Sequence, residues 1–298
     1  MSHISESNVK KITAPHIRSR KGGTPIVAIT AYDYPSARLV DEAGCDFILV
    51  GDSLAQTVLG YDSTLPVTLD EMIAASRAVK RGTRRALIVG DMPFGYYQDS
   101  EKRAVESAIR FVKEGGAEAV KIEGGTRRAH LVKAIVDAEI PVMGHIGLTP
   151  QSLLRMGGYK VQGKTLDAAR ELIEDALALE RAGAFAIVLE GIPKEISRII
   201  TDRLHIPTIG IGAGVDCDGQ ILVFTDVIGL TFGHTAKFVR QYADVKSVIG
   251  EALKQYADDV TARRFPADAE SYHLPEGAQV NVIEEEHTES MPPLGPIN

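Results

Sequence analysis

Eight short stretches of the chain are almost wholly apolar: PIVAIT, FILVGD, ALIVGDM, AVKIEG, PVMGHIG, AFAIVLE, PTIGIGA and QILVF. Such runs, bounded by turn residues, predict buried strands. Between them the apolar positions take helical spacing. Thr68-x-x-Glu71 is a capping box that opens a helix predicted to stop at Gly82. From Ser100 to Glu114, the residues Ala104, Val105, Ala108, Ile109 and Val112 fall on one helical face. Pro193 suits a first helical turn, with Ile196, Ile199 and Ile200 following it.

Three segments repeat one layout: DEAGCDFILVGD, KEGGAEAVKIEGG and ERAGAFAIVLEG. Each runs from a polar helix end through Gly into an apolar strand that finishes at an acid. Gly suits the position just past a helix because it enters the left-handed conformation cheaply. Eight strands alternating with helices over about 250 residues predict a (β/α)8 TIM barrel. A doubly wound sheet is the main structural rival. The GIGAG run at Gly210 to Gly214 lacks the G-x-G-x-x-G spacing of a dinucleotide site, and it reads as close backbone packing at a barrel rim.

Composition narrows the choice of function. With 298 residues, 44% of them hydrophobic, the chain is long enough to bury a large core. No apolar stretch approaches the roughly 20 residues of a membrane span, and MSHISESNVK has no apolar signal core. Only Cys45 and Cys217 are present, in no disulfide or zinc spacing, which fits a reducing cytoplasm. The formal charge of −7 offers no footprint for nucleic acid. Five of the acids lie between Pro275 and Asn298, a segment without Lys, Arg or Asp. We therefore expect a basic N-terminal arm at 1–24, one barrel domain at 25–274 and a solvated, disordered acidic extension at 275–298.

The strand ends carry the candidate chemistry. A lone G-D-S at Gly51 to Ser53 is ordinary turn chemistry. Read in order, however, the strands end at Asp52, Asp91, Glu123, His145 and Glu190. In a barrel these carboxyl ends converge on one rim, where the active site lies. Asp52, Asp91 and Glu123 belong to successive strands, and close carboxylates repel unless a cation neutralises them. Oxygen donors without Cys favour Mg²⁺ over zinc. Lys121 sits two residues before Glu123, so both side chains share one face of a strand. A buried Lys requires a partner: Glu123 alone, or Glu123 with a bound anion. His145 reads equally as a core group or a site group. Glu190 ends an apolar strand, and a carboxylate in apolar surroundings holds a proton more readily, which suits a proton-transferring group.

TAYDYPSA, VGDSLA, DMPFG, VKIEGG, HIGLTPQS, GYKVQGK, VLEGIP and IGIGAG-x-x-CDGQILV, in this order and spacing, resemble the ketopantoate hydroxymethyltransferase family. The resemblance runs from about Lys11 to Leu274. It departs at Gly191, where the family often shows Cys, and in the acidic tail beyond Leu274. It implies a barrel of the phosphoenolpyruvate mutase and isocitrate lyase superfamily type. The implied reaction moves a hydroxymethyl group from methylenetetrahydrofolate to 3-methyl-2-oxobutanoate (ketoisovalerate), opening pantothenate synthesis. It places Mg²⁺ at Asp52 and Asp91, with Glu123 at the metal or its waters. It has Asp52, Ser53, Asp91 and Lys121 contact the ketoacid, His145 line the pocket, and Glu190 accept the proton. It also implies a homo-oligomer, a decamer of two stacked rings.

Two rivals are separable. A C–C or P–C lyase of the same superfamily carries a Cys on a mobile loop, whereas RMGGYKVQGK fills that place here. A non-enzymatic, metal-dependent ketoacid-binding protein has no need of Glu190. Gly157, Gly158 and Gly163 make Leu154 to Lys164 a candidate lid.

Overall fold

The computed structural model describes residues 10–233 and 235–278. Eight parallel strands close into a barrel in chain order, with β8 pairing back to β1. They are β1 Ile26–Thr30, β2 Phe47–Val50, β3 Leu87–Asp91, β4 Ala119–Glu123, β5 Val142–Gly147, β6 Ala186–Glu190, β7 Thr208–Ile211 and β8 Gly219–Leu222. The doubly wound alternative is excluded by that closure. Strands β2 to β6 are apolar on both sides because both sides are buried, while β1 and β8 each expose one position, Val27 and Gln220. Phe47, Leu49, Leu87, Val89, Met143 and Val188 pack inside the barrel, while Ile48, Ile88, Val120, Ile187 and Leu189 pack outward with helix residues such as Met72, Ile73 and Leu179.

The helix Leu69–Gly82 opens with the predicted capping box. Gly44 and Gly183, from the repeated units, adopt left-handed φ values of 84° and 99°. The stretch from Ser100 departs from its prediction. It is an α-helix only over Glu101–Arg110 and finishes as a π-helical turn, Phe111–Gly115. Its buried side runs through Ala104, Ser107, Ala108 and Phe111, while Ile109 and Val112 are exposed. Phe111 lies against β3 at Gly90, where a Cβ would come within 2.4 Å of Cδ1. Gly90 is therefore a packing requirement of the strand that carries Asp91.

The basic N-terminal stretch is folded against the barrel. Thr13 caps a short helix, Ala14–Arg18. Ile12, Ala14 and Ile17 join the cluster of inward-facing strand residues, and the Ile12 N–H donates to the carbonyl of Arg85 just before β3. This places the segment over the N-terminal mouth of the barrel, opposite the acid-bearing strand ends.

The chain divides into two compact units, the first ending at Lys246 and the second starting at Ser247. The second holds most of the helix Val245–Thr261, and its Tyr256 and Phe265 rings meet edge to face at 5.5 Å. Residues 279–298, most of the acidic stretch, lie outside the described residues.

Candidate active site

The strand-end residues meet at the C-terminal mouth. Asp91 and Glu123 are the last residues of β3 and β4, Glu190 is the last of β6, and His145 lies within β5. Asp52 stands two residues past the end of β2, in the turn before the short helix Leu54–Thr57. Register brings the rest together: Asp91 is opposite Lys121, Glu123 opposite His145, and Glu190 opposite Gly147. These side chains line one cleft of about 180 Å³, together with Ser53, Gln56, Tyr159, Asp226 and Phe238. The apolar part of the wall is supplied by Leu49, Val188, Ile211 and Ile221. Close packing at the GIGAG run also holds, since a Cβ at Gly212 would meet the Phe238 ring at 2.6 Å.

Lys121 Nζ lies 2.7 Å from Asp91 Oδ1, 3.9 Å from Glu123 Oε1 and 3.3 Å from His145 Nδ1. His145 Nδ1 is 3.4 Å from Glu123 Oε1, and Nε2 is 3.2 Å from Glu190 Oε2. Asp91 Oδ1 and Glu123 Oε1 accept no well-directed hydrogen bond, so their contacts with these cations are ionic rather than directional. The other Asp91 oxygen accepts from the backbone N–H of Asp52 at 3.0 Å. The Ser53 hydroxyl makes no helix cap and instead pairs with Tyr32 Oη at 2.8 Å.

Burial dominates the electrostatics. Asp52, Asp91, Lys121, Glu123 and His145 are each no more than 5% exposed. Burial raises Asp91 to about 7, with the charge of Asp52 adding to the rise and Lys121 opposing it. Asp52 is also raised, by burial first and then by Glu123. Burial pulls Lys121 down, but Asp91, Glu123 and Asp52 outweigh it and hold the ammonium charged. For His145, burial and Lys121 push down while Glu123 and Glu190 push up, and the result is about 9. Five acidic residues, Asp52, Asp91, Glu123, Glu190 and Asp226, thus line the cleft with two cationic side chains, Lys121 and His145.

Glu190 does not have the apolar setting expected of it. Its neighbour is the His145 imidazole, and its side chain is 17% exposed at the cleft. Of the apolar run before it, Ile187 and Leu189 face outward, while Ala186 and Val188 face inward and Val188 lines the cleft with Glu190. The charge-based reading also missed Gln151, although it lies in the quoted motif HIGLTPQS. Its Nε2 donates to Asp52 Oδ2 at 3.0 Å, and its backbone N–H donates to Glu123 Oε2 at 3.0 Å. A search for ionisable groups passes over a neutral amide, and only its place between two acids in space reveals it.

The sequence profile of the ketopantoate hydroxymethyltransferase family matches residues 11–268. The chain belongs to that family. It is 58% identical over 273 residues to the 3-methyl-2-oxobutanoate hydroxymethyltransferase of Koribacter versatilis, covering 91% of this chain and 92% of that protein. Identity to the enzyme of the same name from Heliobacterium modesticaldum is 56%, over 89% of this chain and 96% of that protein. Among solved structures, phosphonopyruvate hydrolase superposes with a TM-score of 0.57 at 13% identity, covering 88% of this chain and 92% of that one. The 2,3-dimethylmalate lyase, a PEP mutase/isocitrate lyase superfamily member, gives 0.54 at 19% identity, over 84% of this chain and 87% of that one. Those two likenesses establish the barrel type. They do not favour a lyase over the hydroxymethyltransferase family, to which the sequence is far closer.

Proposed function

We propose that the protein converts 3-methyl-2-oxobutanoate to ketopantoate with methylenetetrahydrofolate as one-carbon donor, the reaction that opens pantothenate synthesis. The observation that carries this reading is the site itself: Glu190, His145, Glu123, Lys121 and Asp91 in one unbroken chain of contacts at the mouth of a family-matched barrel.

The residues fit Mg²⁺. Asp52 and Asp91 are buried oxygen donors with raised pKa values, and the acids outnumber the cations around them. Among the described residues no three His, Cys, Asp or Glu side chains form a ready-made cage. Mg²⁺ needs none, because it binds through one or two carboxylates and keeps several waters. We assign Asp52 and Asp91 to the metal, with Glu123 at the metal or its waters. When bound, the ion supplies Lewis acidity at the ketone oxygen and so acidifies the adjoining C–H.

The chain's own residues do the rest. Asp52, Ser53, Asp91 and Lys121 contact the ketoacid, and the Lys121 ammonium faces the negative charge that develops on its ketone oxygen. The apolar wall of Leu49, Val188, Ile211 and Ile221 suits the branched carbons. Glu190 takes the proton from the branched carbon, and the His145 imidazolium beside it steadies the carboxylate before that transfer. Both C–N bonds of the folate's methylene bridge break as its carbon bonds to the carbon left with the electron pair and to the oxygen of a water. The two nitrogens take up the proton held by Glu190 and the one lost by the water, and tetrahydrofolate departs. A decameric state and a cytoplasmic setting complete the reading, in keeping with the family resemblance and with the lack of any membrane-length apolar helix among the described residues.

The test is product analysis. Protein, Mg²⁺, ketoisovalerate and methylenetetrahydrofolate should yield ketopantoate by mass spectrometry, and leaving out either substrate should abolish it. Cleavage of a carbon–carbon bond in a branched 2-hydroxy acid, without transfer, would support the lyase reading instead.

A further inference from the structure

Behind the acids of the cleft runs a relay of amides whose polarity is fixed at both ends. The Gly95 N–H donates to Gln98 Oε1 at 2.8 Å, and a backbone N–H can only donate. The other end of that amide is therefore the NH₂ group, which donates to Gln151 Oε1 at 3.1 Å. Tyr97 Oη donates to the same oxygen at 2.7 Å. The Gln151 NH₂ is thereby turned toward the Met92 carbonyl at 2.9 Å, which can only accept, and toward Asp52 Oδ2 at 3.0 Å. Flipping either amide would set donor against donor or acceptor against acceptor. Such pairings inside a protein are costly, and Gln151 and Tyr97 are only 5% and 1% exposed.

The same residue holds a second acid. The Gln151 backbone N–H donates to Glu123 Oε2 at 3.0 Å, while the Glu123 N–H donates to Tyr97 Oη at 3.1 Å. Gln151 thus binds one oxygen of Asp52, which follows β2, and one oxygen of Glu123, which ends β4. Strand β3 lies between β2 and β4, so the ladder and the Asp52 N–H on Asp91 Oδ2 set the backbones, while Gln151 bonds both side-chain carboxylates directly.

We propose that Gln151 is a positioning residue that clamps Asp52 and Glu123, so that their remaining oxygens are presented to a divalent cation. The inference rests on the assignment of Mg²⁺ to these acids under the proposed function. Removing a group that orients metal-binding side chains from behind typically costs about 10- to 100-fold in metal affinity.

The test uses the full chain without folate or ketoacid, with Mn²⁺ as the probe read by electron paramagnetic resonance. Gln151→Met keeps the length and removes the amide. Its Mn²⁺ dissociation constant should rise about 10- to 100-fold. Tyr97→Phe removes one of the two donors that hold Oε1 and should weaken Mn²⁺ several-fold. It keeps the question open to measurement if Gln151→Met does not fold. A lower melting temperature with an unchanged Mn²⁺ constant in both folded variants, or in Tyr97→Phe alone where only it folds, would overturn the clamp and leave the metal assignment standing. Unmodified protein that binds no Mn²⁺ would overturn the metal assignment, and the clamp with it.

Discussion

One imidazole joins two acids: His145 Nε2 is 3.2 Å from Glu190 Oε2, and Nδ1 is 3.4 Å from Glu123 Oε1. With both ring nitrogens facing carboxylates, the protonated ring is favoured in the folded state, and its pKa rises from 6.5 to about 9. A raised folded-state pKa contributes stability that is fully present below about pH 6.5 and is lost as the pH climbs through about 9. His145→Asn should therefore be less stable than the unmodified protein near pH 6 and approach it near pH 10. Urea unfolding at the two pH values checks this, and an equal gap at both would rule the charge out as the cause.

Asp91 is shifted upward as well, but there the proton competes with a cation. Held up at about 7 by burial, it must lose its proton before it can bind a cation. Mg²⁺ affinity should accordingly fall by up to about tenfold per pH unit below 7, as expected when one proton competes for the site. Asp91→Ala should abolish the magnesium dependence of ketoisovalerate binding in calorimetry. Magnesium-dependent affinity that survives in that variant would remove Asp91 from the metal site.

Glu190 should act without folate, because proton removal precedes carbon–carbon bond formation. In heavy water with Mg²⁺, the single hydrogen on the branched carbon of ketoisovalerate should exchange, as seen by proton NMR. Glu190→Gln should slow this exchange by at least about a hundredfold while weakening binding far less. Undiminished exchange in the variant would assign the base elsewhere.

The stretch Leu154 to Lys164 should behave as a cover. It contains the short helix Leu153–Met156, then Gly157 and Gly158 with positive φ, and Leu154 is 81% exposed. Tyr159 reaches the cleft, and the Gln162 N–H donates to the Gly191 carbonyl just past Glu190 at 2.9 Å. Limited proteolysis should cut here in the free enzyme and be slowed by ketoacid plus folate. Equal cleavage with and without ligands would argue against closure.

Gly90→Ala should destabilise the barrel by about 1–3 kcal/mol, since the added methyl meets a buried ring rather than a flexible side chain. Shrinking the ring with Phe111→Leu should recover part of that loss. Thermal melts of the two single variants and the double variant report the coupling.

The strands and the rim were legible in the sequence because the parallel barrel buries both faces of most strands, so that acids stand out where β3, β4 and β6 end. Asp91, Glu123 and Glu190 followed directly from that rule. Asp52 was less direct, since it lies beyond β2 in a turn and is placed by its backbone bond to Asp91. Ile109 and Val112 misled because an apolar side chain need not be a buried one. The stripe that packs is Ala104, Ser107, Ala108 and Phe111, with i, i+3, i+4, i+7 spacing, and Ile109 and Val112 lie to one side of it. Gln151 and Tyr97 could not be found by charge or periodicity. Their roles exist only where loops after different strands meet.

The folded N-terminal segment has a kinetic consequence. Ile12, Ala14 and Ile17 cap the far end of a barrel whose interior is already filled by Phe47, Leu49, Leu87 and Val89, so reactants reach the cleft from its C-terminal mouth. Asp91 and Lys121 sit at the inner end of that passage, each no more than 3% exposed, while Glu190 stands nearer the entrance. Two reactants sharing one doorway cannot overtake each other. Under the proposed function the ketoacid should be seated before the folate arrives, and tetrahydrofolate should leave before ketopantoate follows. The steady-state rate law should be that of a compulsory queue, with a folate analogue trapping the ketoacid inside.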